Sequence, residues 1–377
     1  MIADEAGQPA WDAVEAVSDV PALTERLDGL VLAAGFEERA FAALDRGAFR
    51  PDAHCILIRF VNSIPGNGSV FRRYREAAQA RFGEGRVHIV ELHQDNPARL
   101  EVDLDRKLGE LPRAIRHLGV DVSGLPAYAT CMALKALRAH HRAENPLTVI
   151  YTAALEYNPN RAEYDELIAL GGDELELLPH AMALEMDQNL QLDAFSGYRS
   201  QNAKTCLAIL TGFEAHRATG VVEDTNPALL LLLYGKPGDP ILDWRLDLSG
   251  RLHRKFERGR RTATETVSTL QFWETIAALE HYYNYLIDDY DLVIAPIGSK
   301  MQTLAAFLFW ERYGETQLMF PTPIGYNPER GPKGSGVTYS TTLEPRSLLF
   351  RGSWRSPIGA AAARMARGER IGLIQHT

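Results

Sequence analysis

The sequence is poor in the features that mark several large classes of protein. It has only three cysteines in 377 residues, Cys55, Cys131 and Cys206, and they form no CxxC pair. Neither a disulfide framework nor a zinc knuckle is therefore expected. No run approaches the about 18–20 uninterrupted apolar residues of a membrane span. Residues 1–5 lack the basic start of a signal peptide, so we expect a cytoplasmic protein with no membrane partner.

Sequence motifs of the common catalytic classes are also missing. There is no HExxH or GxSxG motif, and the GxxxxGK[ST] spacing of Walker-type ATP hydrolysis is absent. We accordingly expect no metal and no cofactor. Two groups remain as candidate catalytic residues, Glu214 and His253, because a carboxylate and an imidazole can act as acid and base. Whether the protein is an enzyme stays open at this point.

Charge excludes one broad class of function. Forty basic against forty-nine acidic side chains give a net charge of −9, which argues against general, non-specific nucleic-acid binding. The segment 251–261 reverses that sign locally and includes Lys255. Such a cluster suits a polyphosphate or a nucleic-acid backbone, and a solvated loop is the alternative.

A weak internal repeat is the most informative feature of the sequence. Residues 31–39 read VLAAGFEER and residues 208–217 read AILTGFEAHR. Further landmarks follow in the same order in both halves, 169 to 177 residues apart: Pro65 and Pro237, Gly124 and Gly298, Tyr157 and Tyr326. The repeat favours an internal duplication. The alternative is that two unrelated α/β domains share strand–turn–helix spacing.

The apolar pattern predicts the fold class. Short continuous apolar runs separated by amphipathic helices are typical of a parallel sheet that is buried on both faces. We therefore expect an α/β protein of two tandem, duplicated Rossmann-like domains with parallel sheets. The expected divisions are a leader at 1–24, domain 1 at 25–160, a linker at 161–203, domain 2 at 204–345 and a tail at 346–377.

Candidate ligand-binding residues follow the predicted strands, where open α/β sheets bind their ligands. An acid and a base come after the first strand of each half: Glu37 with Arg39, and Glu214 with Arg217. Each pair could orient a ribose hydroxyl and a phosphate. A helix-capping pair is the alternative.

A second set of candidates comes from small residues after the fourth predicted strand of each half. Small residues let a ligand approach the backbone, and serine or lysine can bind phosphate oxygens. Ordinary helix capping would also explain the serine and aspartate. The candidates are Asp121, Ser123, Gly124, Gly298, Ser299 and Lys300.

Residues 293–309, VIAPIGSKMQTLAAFLF, resemble the signature of the CRISPR-associated Rossmann-fold (CARF) ligand-sensing domains. The resemblance lies in a strand, the turn Gly298-Ser299-Lys300 and Met301 in an apolar helix. The first half departs from it because its turn lacks the lysine. The tandem arrangement is similar to that of the SAVED sensors. This resemblance implies a cyclic oligonucleotide or related nucleotide bound across the cleft between the halves, touched by Ser299 and Lys300 on one side and by Ser123 and Gly124 on the other.

Three functional hypotheses remain. The first is a nucleotide-binding sensor or regulatory subunit of a prokaryotic antiviral defence system, acting through a protein partner or a change of homo-oligomer. The second is an enzyme that processes a nucleotide or phosphosugar, by phosphodiester cleavage or glycosyl transfer. The third is a non-catalytic assembly subunit whose basic segment 251–261 docks on an acidic partner or nucleic acid.

Overall fold

The computed structural model describes residues 15–17, 26–61, 67–140, 145–169, 182–198, 203–258 and 260–343. The predicted tail at 346–377 and most of the predicted leader lie outside these ranges. The chain divides into two compact units. Unit 1 holds the residues up to Tyr157 together with those from Gly331 to Ser353, and unit 2 includes Asn158–Arg330.

The elements are named in chain order. The strands are β1 (Glu15–Val17), β2 (Leu27–Ala34), β3 (Phe49–Val61), β4 (Val87–His93), β5 (Leu118–Asp121), β6 (Leu147–Thr152), β7 (Met186–Leu190), β8 (Lys204–Leu210), β9 (Leu229–Lys236), β10 (Thr262–Ser268), β11 (Tyr290–Pro296), β12 (Gln317–Leu318), β13 (Phe320–Pro323) and β14 (Thr338–Leu343). The helices are α1 (Ala42–Arg46), α2 (Asn67–Phe82), α3 (Arg99–Glu110), α4 (Ala127–His140), α5 (Arg161–Ala169), α6 (Ala215–Thr225), α7 (Trp244–His253), α8 (Phe272–Leu286) and α9 (Lys300–Arg312).

Unit 1 is built on a mostly parallel sheet. In the described part of the chain its strand order is β1-β14-β6-β5-β2-β3-β4. The strands from β6 to β4 run parallel, whereas β14 pairs antiparallel with β6 and β1 antiparallel with β14. Every residue of β2 is buried, as expected for a central strand covered on both faces.

Unit 2 repeats the parallel arrangement. Its main sheet has the order β10-β9-β8-β11-β12, with all described pairs parallel. The leucines at 229–233 place β9 in the core, where none is more than 3% exposed. The antiparallel pair β13 and β7 forms a small separate sheet.

The parallel strands of both sheets follow one order: third, second, first, fourth, fifth. This confirms the predicted α/β fold with mostly parallel sheets. The order reverses between β2 and β5 in unit 1 and between β8 and β11 in unit 2. Open sheets bind ligands outside the carboxyl ends of the strands at such a switch point. A shared strand order fits the duplication predicted from the sequence, which stays a prediction.

The structure differs from the predicted division of the chain at two places. Strand β14 falls in predicted domain 2 but completes the sheet of unit 1, because it pairs along β6. Its sequence, TYSTTL, has no continuous apolar run that would mark it as a sheet strand. The predicted linker at 161–203 contributes α5 and β7 to unit 2, where Leu167 packs in a buried cluster with Trp244.

Candidate functional site

The switch point of unit 2 brings two strand ends into backbone contact. Gly212 follows β8 and Gly298 follows β11. A Cβ atom on Gly212 would lie 2.8 Å from the carbonyl oxygen of Ile297, and one on Gly298 would lie 3.0 Å from that of Thr211. Larger residues would force these connections apart. The glycines therefore allow the two connections to approach each other, and the approach of a ligand to Gly298 stays a prediction.

Helix α9 begins directly above this contact. Ser299 is its N-cap and forms a capping box with Gln302, so the alternative interpretation of Ser299 as a helix cap is correct. The Ser299 hydroxyl accepts a hydrogen bond from the Gln302 backbone N–H (3.1 Å) and donates one to the Thr269 carbonyl after β10 (2.6 Å). Lys300 is the first residue of the helix. The helix dipole and the Lys300 charge both favour an anion at this end.

The side-chain amide of Gln302 is buried and unsatisfied. Gln302 is 0% exposed. Its Oε1 accepts a hydrogen bond from the Ser299 N–H at 2.9 Å, whereas its Nε2 has no partner. Because the capping box fixes which end of the amide is the oxygen, the unpartnered atom is a donor. Most buried polar groups have a hydrogen-bond partner, because a buried donor without an acceptor costs about 1–3 kcal/mol. The Nε2 group of Gln302 is an exception.

The second acid–base pair, Glu214 and Arg217, forms hydrogen bonds within unit 2. Arg217 Nη1 donates to Glu214 Oε2 (2.6 Å), and Arg217 Nε and Nη2 donate to the Pro321 carbonyl of β13 (3.1 and 2.7 Å). The Ala183 N–H donates to Glu214 Oε1 at 2.8 Å. Burial acts to raise the pKa of Glu214, but the charge and hydrogen bond of Arg217, together with the Ala183 N–H and His216, lower that pKa. Both carboxylate oxygens of Glu214 thus accept bonds from the protein itself.

His253 lies in the core of unit 2. It is 0% exposed, its Nδ1 lies 2.8 Å from the Ser249 carbonyl oxygen, and Tyr234 and Phe256 pack around its ring. Burial lowers the pKa of His253 to about 4, so the imidazole is neutral at pH 7. This buried position does not support the predicted role of His253 as an acid or base toward a substrate.

Lys255 is exposed, in contrast to its neighbour His253. Its Nζ lies 5.3 Å from the centre of the Phe256 ring. Arg261 of the same basic segment donates to the Tyr290 hydroxyl. The charged head of Lys255 is available to an anion, and its ligand-binding role stays a prediction.

In unit 1, Glu37 and Arg39 bind each other in the interior. Arg39 is 4% exposed and its Nε donates to Glu37 Oε2 at 2.7 Å. Its Nη1 donates to the Thr152 carbonyl at the end of β6 (3.2 Å) and to the hydroxyls of Tyr151 and Tyr157 (3.3 and 3.2 Å). Burial acts to lower the pKa of Arg39, and the Glu37 carboxylate together with Tyr151 and Tyr157 more than offsets it. The guanidinium therefore stays charged while it holds the strand end in place.

Asp121, Ser123 and Gly124 form the corresponding turn of unit 1. Asp121 is 0% exposed, and it accepts hydrogen bonds from the Ser123 N–H and from the Ser123 hydroxyl, both at 3.0 Å. The Thr152 N–H donates to that hydroxyl at 2.8 Å. Burial raises the pKa of Asp121 to about 7 against these hydrogen bonds and the Arg39 charge. Gly124 makes a close contact here, because a Cβ on it would lie 2.9 Å from the Ala40 Cβ.

The two switch points therefore differ in charge. At the end of its fourth parallel strand, unit 1 has the buried carboxylate of Asp121, which accepts hydrogen bonds from Ser123. Unit 2 has a glycine, a serine and a lysine at the start of a long helix. Gln302 was not among the residues predicted from the sequence, although the S-x-x-Q spacing at 299–302 is a visible capping-box signal.

The described residues also bear on metal binding, thiol chemistry and membrane insertion. Among the described residues, no group of three or more histidine, cysteine, aspartate or glutamate side chains is placed to hold a metal ion. All three cysteines are free and buried. No helix in the described ranges is both long and apolar enough to cross a membrane.

Comparisons with known proteins give no family. No family model matches the chain, and no curated protein matches it either. Among solved structures, the chain is similar to a type III CRISPR defence DNA nuclease activated by cyclic oligoadenylate, at 12% identity and a TM-score of 0.40. The match covers 74% of this chain and 63% of the nuclease, so the chain spans less than two thirds of that protein's length.

More distant similarities fall on other kinds of enzyme. A structure of LepI in complex with SAH and a substrate analogue matches 41% of this chain and 34% of its own, at 12% identity and a TM-score of 0.18. A pericyclic reaction enzyme matches 40% of this chain and 33% of its own, at 13% identity and a TM-score of 0.17. Identities and TM-scores this low do not transfer a function.

Proposed function

We propose that this protein is a nucleotide-binding sensor or regulatory subunit, and that unit 2 binds the phosphorylated ligand at its switch point. The ligand's phosphate lies at the start of α9, against the backbone of Gly298 and Ser299 and the charge of Lys300. Arg217 and Glu214 hold the neighbouring connection in place from within. The signal passes to a protein partner or through a change of oligomeric state, within an antiviral defence system.

The observation that carries the proposal is the unsatisfied amide of Gln302 beside the anion-favouring start of α9. The start of a helix is not by itself evidence of a ligand, because the helix's own N-cap residue commonly satisfies the free N–H groups there. Here a second donor, Nε2 of Gln302, is buried next to it and has no acceptor in the described protein. A bound ligand with oxygen or nitrogen acceptors would satisfy it.

Binding without turnover is favoured over catalysis. The two candidate catalytic residues, Glu214 and His253, are engaged within unit 2 by Arg217 and by the Ser249 carbonyl. A general base must reach the proton that it abstracts. The enzymatic hypothesis therefore has less support than the sensor hypothesis, and it is tested by incubating the protein with nucleotides and measuring products by mass spectrometry.

The proposal is tested by isothermal titration calorimetry with linear nucleotides, cyclic dinucleotides and cyclic oligoadenylates. Cyclic oligoadenylate is included because it activates the similar nuclease, although that similarity is too low to support the proposal. Replacing Lys300 by Ala should raise the Kd of the best ligand by about 10- to 100-fold, the loss of one charge-assisted hydrogen bond.

Lys204→Ala is the matched control. Lys204 is exposed and lies at the amino end of β8, the opposite edge of the same sheet. Its replacement removes the same charge and should leave the Kd unchanged. Equal effects of the two variants would mean that net charge, rather than a site at α9, governs binding. If wild-type protein binds none of these nucleotides, the proposed function is wrong.

A further inference from the structure

The amide of Gln302 has a fixed direction and a defined neighbour. Its Oε1 is held by the Ser299 N–H, so Nε2 cannot exchange places with the oxygen without breaking the capping box. Nε2 lies beside Gly235, near the carboxyl end of β9, where an added Cβ would be 3.5 Å from it. Gly235, Gly298 and Thr269 around this point are partly exposed. The amide therefore lies beneath partly exposed residues at the carboxyl ends of β9, β10 and β11.

We propose that Gln302 is a specificity-determining residue, whose Nε2 donates a hydrogen bond to an acceptor on the base of the bound nucleotide, on the side of the amide that faces Gly235. This inference rests on the proposed function, because it assigns a second part of the same site. The phosphate binds at Ser299 and Lys300, and the base binds at Gln302.

The chemistry of the position favours a base over a phosphate. The donor is an uncharged amide in a buried place. Burying a phosphate charge there would cost much more than its hydrogen bond returns. A keto oxygen or ring nitrogen is neutral and needs only one donor. Because Oε1 is occupied, Gln302 favours an acceptor edge and disfavours an exocyclic amino group.

Gly235 is the second part of the proposal. Its φ is not in the left-handed region, so its backbone does not require glycine. What requires glycine is space: an added Cβ would lie 2.7 Å from Thr269 Cγ2 as well as near the Gln302 amide. The variant Gly235→Ala with Thr269→Ser adds a methyl group 3.5 Å from Nε2 and 3.4 Å from Oε1, and it removes the Thr269 methyl group that this addition would strike. It changes no charge and leaves Ser299, Lys300 and Gln302 in place.

The experiment compares two probes that share a sugar phosphate. Wild-type protein is titrated with ribose 5-phosphate and with the 5′-monophosphates of adenosine, guanosine, cytidine and uridine. We expect at least one nucleotide to bind about tenfold tighter than ribose 5-phosphate, the preference that one good hydrogen bond to the base supplies. In Gly235→Ala/Thr269→Ser that preference should fall to about one, with the Kd of ribose 5-phosphate unchanged. Thr269→Ser alone is the control and should keep the preference.

A second variant tests the donor itself. Gln302→Glu keeps an oxygen for the Ser299 N–H, as glutamate does in capping boxes, and replaces the amide nitrogen by oxygen. Its added charge acts on both probes alike, so the ratio of the two Kd values isolates the lost donor. The ratio should again fall to about one. Gln188→Glu, an exposed position on β7 in the same unit, adds the same charge and should keep the wild-type ratio.

The outcomes separate the two proposals. If wild-type protein binds ribose 5-phosphate and all the nucleotides equally, the role of Gln302 is wrong while the phosphate site stands. If a nucleotide is preferred and both variants keep that preference, Gln302 only caps α9. If neither these probes nor the cyclic nucleotides of the calorimetric titrations bind, the proposed function fails and the inference fails with it. If only the cyclic nucleotides bind, the base contact of a single nucleotide at Gln302 is wrong while the proposed function stands.

Discussion

The guanidinium of Arg39 lies 2.6 Å from the carboxylate of Glu37 in the interior of unit 1. Arg217 and Glu214 repeat this relationship at the same distance in unit 2. In each unit the arginine also donates to a strand carbonyl, that of Thr152 or of Pro321. The matching Glu–Arg pairs therefore tie the segment after the first parallel strand to a later strand of the same unit.

The ion pair of unit 1 should be important for stability. Replacing Arg39 by Met leaves the buried Glu37 carboxylate without its counter-charge, so the free energy of unfolding should fall by about 3–5 kcal/mol. Urea unfolding followed by circular dichroism measures the change. Arg72→Met, at an exposed position on α2, is the matched control and should change stability by less than about 0.5 kcal/mol. A similar small change for Arg39→Met would show that the pair does not hold unit 1 together.

Asp121 should make the protein less stable as the pH rises. Burial raises its folded-state pKa to about 7 from the ordinary value of 3.8, so the folded state binds the proton more tightly than the unfolded state. Stability is lost as the pH rises through this window. Asp121→Asn removes the loss, and between pH 5 and pH 8 wild type should lose about 2–3 kcal/mol relative to the variant. Parallel unfolding curves of the two proteins across that range would contradict the burial of an uncharged Asp121.

His253 should act in the opposite direction. Its pKa falls from 6.5 to about 4 on folding, so the unfolded state takes up the proton first. Stability is present above pH 6.5 and is lost as the pH falls towards 4. His253→Leu should remove this loss, which amounts to about 2 kcal/mol between pH 7.5 and pH 5. If the variant is as acid-sensitive as wild type at pH 5, other groups govern acid unfolding.

The glycine after β11 should be needed for binding. Gly298→Ala places a Cβ 2.2 Å from Gln302 Oε1 and 3.0 Å from the Thr211 carbonyl, so it should disrupt the capping box and raise the nucleotide Kd by about tenfold or more. Gly238→Ala is the control, because a Cβ there meets no atom within 4 Å. Calorimetric titration of both variants measures the effect. An unchanged Kd in Gly298→Ala would place the ligand elsewhere.

The sequence predicted the fold class well because its signals are local. Continuous apolar runs such as residues 229–233 mark buried parallel strands without reference to the rest of the chain. Strand β14 was not found, because TYSTTL carries no apolar pattern and its pairing with β6 joins positions nearly 190 residues apart. Helix α5 and strand β7 were not predicted for a similar reason. Their polar, acidic sequence is typical of a linker, and tertiary contacts decide their structure.

The site could be predicted only in part. Glycine, serine and lysine after a strand give a positional signal, and Gly298, Ser299 and Lys300 do lie at the switch point. Residue type alone could not show that Arg39 and Arg217 would form hydrogen bonds with groups of their own units. Those partners include carbonyls more than 100 residues away. The ligand-binding roles of the remaining candidates stay predictions.

Hydrogen–deuterium exchange with and without a nucleotide tests the central claim most directly, because it locates the ligand on the chain. Exchange is measured for peptides spanning the start of α9 and the equivalent turn of unit 1. The account predicts slower exchange at residues 298–303 and 211–214 when the best-binding nucleotide is saturating, with no change at residues 121–125. Slower exchange in unit 1 alone, or unchanged exchange at both switch points, would contradict a phosphate site at α9.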